Sequence, residues 1–121
     1  MIIEKELSDK IINCAFKVHK TLGYGFLEKV YENSLVLELK LSGLEPQAQF
    51  NIPVYYRNQI VGDYKADILV NEKIVLELKA ENEYNKAHEA QLINYLKASK
   101  IKLGYLLNFG RNKLEFKRII F

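Results

Sequence analysis

The chain has 121 residues, 49% of them hydrophobic and 27% charged, which excludes a disordered or fibrous protein and predicts one globular domain over residues 1–121. The net charge of +3 is only mildly basic, so a polyanionic partner is permitted but not required. A single cysteine excludes an internal disulfide, and no stretch reaches the ~18 apolar residues that a membrane span needs.

The lone thiol of Cys14 favours a reducing compartment, and we interpret it as a buried, inert side chain rather than a nucleophile. The first residues, M-I-I-E-K-E-L, carry early charges and no long apolar run, so they do not predict a signal peptide. We therefore expect a cytoplasmic protein without a membrane partner.

Two helices are predicted at the start of the chain. Ser8 predicts the N-cap of a first helix over residues 8–21, which Gly23 and Gly25 end. Its apolar stripe consists of Ile11, Ile12, Ala15, Phe16, Val18 and Leu22. His19 lies at the edge of that stripe, where a hydrogen-bonded structural histidine is the first interpretation and a metal ligand the alternative.

The second helix is predicted from Phe26 to Leu41, and Ser42-Gly43 closes it. Glu28 and Glu32 are one turn apart and share a face of this helix. From the helix alone, they are interpreted as solvated surface carboxylates that also favour a helix N-terminus.

Three strands follow. The first, Gln49 to Tyr56, contains Pro53, which cannot donate to a ladder and therefore predicts an edge strand. After a turn at 57–59, a hairpin is predicted from Ile60–Val70 and Lys73–Ala80, with Gly62 as a candidate bulge or close backbone approach.

Three charges interrupt the apolar strands of this hairpin. Asp67 lies in the first strand, and Glu77 and Lys79 lie in the second. Burying charges in a sheet is unfavourable unless they are paired or bind an ion. A cross-strand salt bridge on a solvated face and a bound cation are therefore the two interpretations.

The length of the hairpin loop decides between two registers. A two-residue loop at Asn71-Glu72 pairs residue 67 with 76, whereas a three-residue loop, 71–73, pairs 67 with 77. In the second register the two Cβ atoms lie about 4.5–5.5 Å apart. Carboxylates this close repel, so one keeps its proton unless a cation lies between them. We predict the odd loop and a shared divalent cation.

A third helix is predicted over residues 84–99. Its side chains at 88, 91 and 95 form one polar stripe, for which a solvated face is the ordinary explanation. The run Leu103–Phe109 predicts a strand that is covered on both faces, and Lys113–Phe121 predicts a last strand after a turn at 110–112. The order ααβββαββ predicts an α/β (α+β) fold in which helices flank a mixed central sheet.

Three motifs in this order resemble the PD-(D/E)XK nuclease superfamily. Asp67 followed by Glu77-Leu78-Lys79 is similar to its Asp…Glu-x-Lys core, although Ala66 replaces the nominal proline. The segment 25–31, G-F-L-E-K-V-Y, matches the signature of the GxxExxY family within it. The segment 91–95, Q-L-I-N-Y, looks like the Gln-x-x-x-Tyr motif of RecB-like members. The resemblance extends from about Ala15 to Arg118.

The resemblance implies a restriction-endonuclease-like fold and a metal-dependent nuclease. By position, Asp67, Glu77, the backbone carbonyl of Leu78 and Glu28 would hold Mg²⁺, for which Mn²⁺ is a substitute. Lys79 would orient the attacking water or stabilise charge on the phosphorus.

In the same way, Gln91 and Tyr95 would support the site. The implied partner is nucleic acid, with DNA preferred to RNA, and a homodimer could supply further contact surface. The alternative is a catalytically silent module that binds nucleic acid or protein on the same fold. The complete set of Asp67, Glu77 and Lys79 favours the enzyme.

Overall fold

The computed structural model describes residues 3–121 and builds them into three helices and five strands. In chain order these are α1 (Lys5–Leu22), α2 (Glu28–Leu41), β1 (Pro46–Tyr56), β2 (Gln59–Val70), β3 (Ile74–Lys79), α3 (Ala87–Ser99), β4 (Leu103–Asn108) and β5 (Glu115–Ile120). The predicted order of elements is confirmed.

All five strands form one sheet in the order β1-β2-β3-β4-β5. Only β3 and β4 run parallel, because α3 connects them as a crossover, and the other neighbours are antiparallel. The predicted mixed, restriction-endonuclease-like sheet is therefore confirmed. The strand β1 lies at an edge, as Pro53 predicted.

The helices cover both faces of the sheet. One apolar core joins α1 and α2 to residues such as Leu76 and Leu78 of β3. A second core joins Leu92 and Leu96 of α3 to the opposite face, including Val75. The strands β3 and β4 are buried on both faces, which explains why their sequences are nearly continuous apolar runs.

All three helix starts differ from the predictions, and α2 begins at Glu28 rather than at Phe26. The helix α1 begins at Lys5, so the prediction that Ser8 is an N-cap is wrong. The Ser8 N–H donates to the Glu4 carbonyl at 2.8 Å, and its buried hydroxyl lies 3.4 Å from an Arg118 guanidinium nitrogen. The Ser8 hydroxyl thus contacts Arg118 of β5 instead of capping the helix. The helix α3 begins at Ala87 rather than at residue 84.

The hairpin between β2 and β3 has the predicted three-residue loop. Val70 pairs with Ile74, and the Lys73 N–H donates to the Val70 carbonyl at 3.0 Å. Asn71 and Glu72 both adopt left-handed backbone conformations, at φ 53° and 58°, as a type I′ turn requires. The odd loop length sets the register of every residue that follows.

Two further predictions from the first helix can be compared with the structure. His19 is buried and its Nε2 lies 2.8 Å from the Arg111 carbonyl oxygen, which confirms a structural histidine. Cys14 is buried, with its Sγ 3.2 Å from the Ser42 Oγ.

Within residues 3–121, no helix combines the length and apolarity that crossing a membrane requires.

Candidate active site

A gap between β2 and β3 brings Asp67 and Glu77 together. The last ladder pair is Ile68 with Leu76, and beyond it side chains replace the backbone bonds. The Asp67 N–H donates to Glu77 Oε1 at 3.3 Å, and the Leu78 N–H donates to Asp67 Oδ2 at 2.7 Å. The two acidic side chains therefore fill the space where the strands separate.

The other neighbour of Asp67 is also irregular. In the register of β1 with β2, Gln49 would face Asp67, but Gln49 has a left-handed backbone with φ 54° and does not pair. Asp67 thus lies where the ladders on both sides of β2 are interrupted. Such an interruption re-aims a side chain and leaves polar groups free for a ligand.

Ionisation of both carboxyl groups at once is unfavourable. Glu77 is 4% exposed, and burial together with the nearby Asp67 carboxylate raises the pKa of Glu77 to about 8. Burial also raises the pKa of Asp67, although the hydrogen bond from the Leu78 N–H lowers it in part. A buried carboxylate beside a half-buried one is repelled by it, so near neutral pH Glu77 holds a proton and hydrogen-bonds to Asp67.

Lys79 compensates this pair only partly. Its Nζ lies 3.9 Å from Glu77 Oε2, and its side chain is 18% exposed. Because Glu77 is buried, the interpretation of a salt bridge on a solvated face is wrong for this residue. Once Glu77 has lost its proton, one ammonium group at this distance faces two carboxylates, so a further positive charge would be stabilised here.

The donor set fits a hard divalent cation. Carboxylate oxygens of Asp67 and Glu77 are the ligands that Mg²⁺ prefers, and Mg²⁺ needs only one or two protein carboxylates because it keeps several waters. The N–H and C=O of one strand residue point to the same side, so the Leu78 carbonyl also faces the gap. Within residues 3–121, however, no three His, Cys, Asp or Glu side chains cluster closely enough to hold a metal by themselves.

Glu28, the first residue of α2, faces this gap from the neighbouring layer. Its side chain is exposed, yet partial burial raises the pKa of Glu28, while Lys79 lowers it and Asp67 raises it. The charges of Asp67 and Lys79 thus act on Glu28, but Glu28 does not join the carboxyl pair in a three-carboxylate ligand group.

The turn before α2 explains how Glu28 is positioned. The Tyr31 hydroxyl donates to the Gly23 carbonyl at 2.6 Å and accepts from the Phe26 N–H at 3.3 Å. The buried Tyr31 ring stacks on Phe109 with 4.8 Å between ring centroids. Gly25 adopts φ 111°, which only glycine reaches without strain. The glycine and tyrosine of the motif therefore shape the turn that presents Glu28.

Glu32 is not the surface carboxylate that the helix alone predicted. It is 4% exposed, and its two oxygens accept from Gln49 Nε2 at 2.8 Å and from Lys29 Nζ at 2.7 Å. Its negative charge raises the pKa of Asp67, so Glu32 acts on the site through the carboxyl pair. The one-turn spacing from Glu28 was the sequence signal for this residue.

Gln91 and Tyr95 approach the carboxyl pair from α3. Gln91 Nε2 donates to the Tyr95 hydroxyl at 2.9 Å, and Tyr95 is buried, so a solvated face does not describe this end of the stripe. Burial first, then the charges of Glu77 and Asp67, raise the pKa of Tyr95 to about 12. The phenol therefore keeps its proton and can donate it to an acceptor at the site.

A histidine–carboxylate pair lies at the rim and includes a residue that the sequence did not reveal. His88 Nε2 lies 2.6 Å from Glu81 Oε2. Glu81 is held by Asn108, whose side chain accepts from the Glu81 N–H and donates to the Glu81 carbonyl, both at 3.0 Å. Glu81 lies in the loop after β3, where no periodicity marks a functional residue.

The sequence of the chain also matches a model of a known protein family. The model of the PD-(D/E)XK nuclease superfamily matches residues 5–119. The chain belongs to the PD-(D/E)XK nuclease superfamily. Nucleases of this superfamily generally depend on a divalent metal and act on nucleic acids.

The fold of this PD-(D/E)XK protein is also found in a solved structure. The crystal structure of SSO0001 superimposes with a TM-score of 0.59 at 18% sequence identity, covering 97% of this chain and 58% of that one. The chain thus spans less than two thirds of that protein, and the likeness concerns the fold alone. No curated protein matches the sequence significantly.

Proposed function

We propose that this chain is a metal-dependent nuclease of the GxxExxY group that hydrolyses phosphodiester bonds of nucleic acid. The observation that carries the proposal is the buried Glu77 carboxyl group, which meets Asp67 in the gap between β2 and β3 beside a single ammonium group, Lys79. A structural pair would be more stable as apolar residues, whereas a nuclease needs this charge density to bind a cation.

Asp67, Glu77 and the Leu78 carbonyl would hold Mg²⁺, with Mn²⁺ as a substitute. When bound, the cation would lower the pKa of a water and withdraw charge from the phosphate. The Lys79 ammonium lies 3.9 Å from Glu77 Oε2 and would stabilise negative charge that develops on the phosphate oxygens. Its partial exposure leaves its ammonium accessible to a substrate.

The supporting side chains orient the substrate. The Tyr95 hydroxyl already accepts a hydrogen bond from Gln91, so its own proton is free to be donated to a phosphate oxygen. Glu28 would bind a water of the cation or pair with Lys79, in keeping with its place at the rim of the gap. We assign these residues positioning roles, and the chemistry to Asp67, Glu77 and Lys79.

We further propose DNA rather than RNA as the substrate, a single domain, and a homodimer that extends the contact surface. A protein of 121 residues leaves little area beyond the core for nucleic acid, since specific protein–DNA interfaces bury roughly 1,000–2,500 Å² of protein surface. Equilibrium sedimentation of the full chain, with and without DNA, tests the dimer.

A metal titration with matched lysine variants tests the enzyme. The substrates are single- and double-stranded DNA and RNA, and the metals are Mg²⁺ and Mn²⁺. We expect cleavage that requires the metal and that falls by about 10²-fold or more in Lys79→Ala, because a charge-stabilising group is lost. Lys10→Ala is the control, since Lys10 is exposed on α1 near the hairpin turn, away from the gap.

Two results would contradict this proposal. Equal cleavage by the wild type and Lys79→Ala would show that the activity comes from a contaminant. Binding of nucleic acid without cleavage at any metal concentration would favour the silent binding module instead.

A further inference from the structure

A groove lies beside the candidate active site, between the β1–β2 hairpin and α3. It encloses about 630 Å³, and the side chains that matter here are Tyr55, Asn58 and Tyr64 of the hairpin and Asn94, Lys97 and Lys100 at the end of α3. Tyr55 and Tyr64 are 61% and 46% exposed, so flat aromatic surface faces the solvent in the groove.

The positive charge of the groove favours an anionic ligand. Lys97 and Lys100 are both exposed and line the same wall. None of the described residues that line the groove is an aspartate or glutamate. The remaining polar side-chain groups are amides and tyrosine hydroxyls, which can both donate and accept hydrogen bonds. A ligand that is anionic along its length and carries flat rings is complementary to this surface.

The groove leads to the carboxyl pair. The Tyr64 ring lies 5.6 Å from the Tyr95 ring between centroids, at an angle of 46°. Tyr95 in turn lies close enough to Glu77 and Asp67 for their charges to raise its pKa. A ligand in the groove would therefore contact Tyr64, whose ring neighbours Tyr95, and approach the carboxyl pair from the side of α3.

We propose that this groove binds an unpaired stretch of nucleic acid and guides it to the scissile phosphate, an inference that rests on the nuclease function proposed above. Successive bases stack on exposed aromatic rings while lysines follow the backbone, as in proteins that bind single strands. In a duplex the bases are already stacked on each other, so their faces are not available to the tyrosine rings unless the stack is opened. The substrate class that follows is single-stranded, or locally unpaired, nucleic acid.

The hairpin supplies a matched pair of variants. Tyr55 and Tyr56 are neighbours at the end of β1 and are almost equally exposed, at 61% and 63%. Only Tyr55 lines the groove, whereas the Tyr56 ring packs under the Arg57 guanidinium at 5.8 Å. Tyr55→Leu therefore tests the groove, and Tyr56→Leu controls for the loss of an exposed ring.

The test is fluorescence anisotropy with the full chain, an oligothymidine and a hairpin duplex, in a chelator so that no cleavage occurs. Loss of one stacked base predicts that Tyr55→Leu weakens binding of the single strand ~5–50-fold, while Tyr56→Leu binds like the wild type. Binding of the duplex should be weaker and equal in both variants. In the double variant Lys97→Gln/Lys100→Gln, the salt dependence of single-strand binding should fall by about 1.4 in its logarithmic slope.

The outcomes separate this inference from the proposed function. Suppose that cleavage depends on a metal and is abolished by Lys79→Ala, but that Tyr55→Leu binds the single strand as the wild type does. This result would contradict single-strand binding in the groove and would still support the proposed nuclease function. If Tyr55→Leu weakens binding of the single strand but no cleavage is found, the result would support single-strand binding in the groove and contradict the nuclease function. If Tyr55→Leu instead converted a dimer to a monomer without affecting oligonucleotide binding, the groove would be an interface between copies, and the inference would fail.

Discussion

Glu77 holds a proton near neutral pH because it is buried next to a second carboxyl group. Its pKa rises from an ordinary 4.5 to about 8, with burial as the largest cause and Asp67 as the second. In the unfolded chain Glu77 loses its proton around pH 4.5, whereas in the folded protein it keeps the proton until about pH 8. The stabilising contribution of this proton is therefore complete below pH 4.5 and is lost as the pH rises through about 8.

The loss of this stabilising contribution with rising pH predicts how the stability of Glu77→Gln compares with that of the wild type. The amide is neutral at every pH and can still donate to Asp67, so the variant should become progressively more stable than the wild type as the pH rises from 4.5 to about 8. Thermal unfolding in a chelator across this range measures the effect. Glu83→Gln, at an exposed position, is the control, and parallel curves for wild type and Glu77→Gln would contradict a proton held by Glu77.

At the scale of elements, the ends of β3 and β4 hold the rim of the site. A Cβ added at Gly110, just after β4, would meet the backbone of Ala80 and Glu81, just after β3. The glycine therefore permits two loops to touch, and this contact keeps Glu81 in place for Asn108 and His88. A backbone atom cannot move aside as the tip of a side chain can.

We accordingly expect Gly110→Ala to destabilise the protein by ~1–3 kcal/mol, as overpacking against backbone does. Gly62→Ala is the control, since the nearest atom to its added Cβ is 3.5 Å away, an ordinary contact. It should leave stability unchanged or slightly raised, because the alanine lowers the entropy of the unfolded chain. Urea unfolding of both variants measures the difference, and equal stabilities would show that the loop contact is not needed.

At the scale of the whole molecule, three layers meet at one gap in the sheet. Glu28 comes from α2, the carboxyl pair from β2 and β3, and Tyr95 from α3. The acidic groups gathered at this point should make the folded protein respond to divalent cations, because a cation that binds only the folded state stabilises it.

Addition of Mg²⁺ or Mn²⁺ should raise the Tm. A site with a Kd of about 1 mM would contribute about 1.4 kcal/mol at about 10 mM cation, or about 5 °C for a protein of this size. Because Glu77 must lose its proton to bind the cation, the increase should be larger at about pH 9 than at about pH 6. Asp67→Asn removes one ligand charge and should abolish the increase, and an equal increase in this variant would place the cation elsewhere.

The sequence by itself determined the order of the elements, the edge position of β1, the odd hairpin loop and the family. These depend on local information: the periodicity of apolar residues, the position of Pro53 and the spacing of Asp67, Glu77 and Lys79. A family motif constrains neighbours along the chain, so it can be recognised before any packing is known.

Only the tertiary structure decided the environment of the site residues. Glu32 and Tyr95 read as solvated in their own helices, yet both are buried because they face a gap built by distant strands. Ser8 reads as a helix cap, yet Arg118, 110 residues away, contacts its hydroxyl. The burial and the pKa of a side chain depend on residues that are remote in sequence. No local sequence pattern shows which remote residue will contact it.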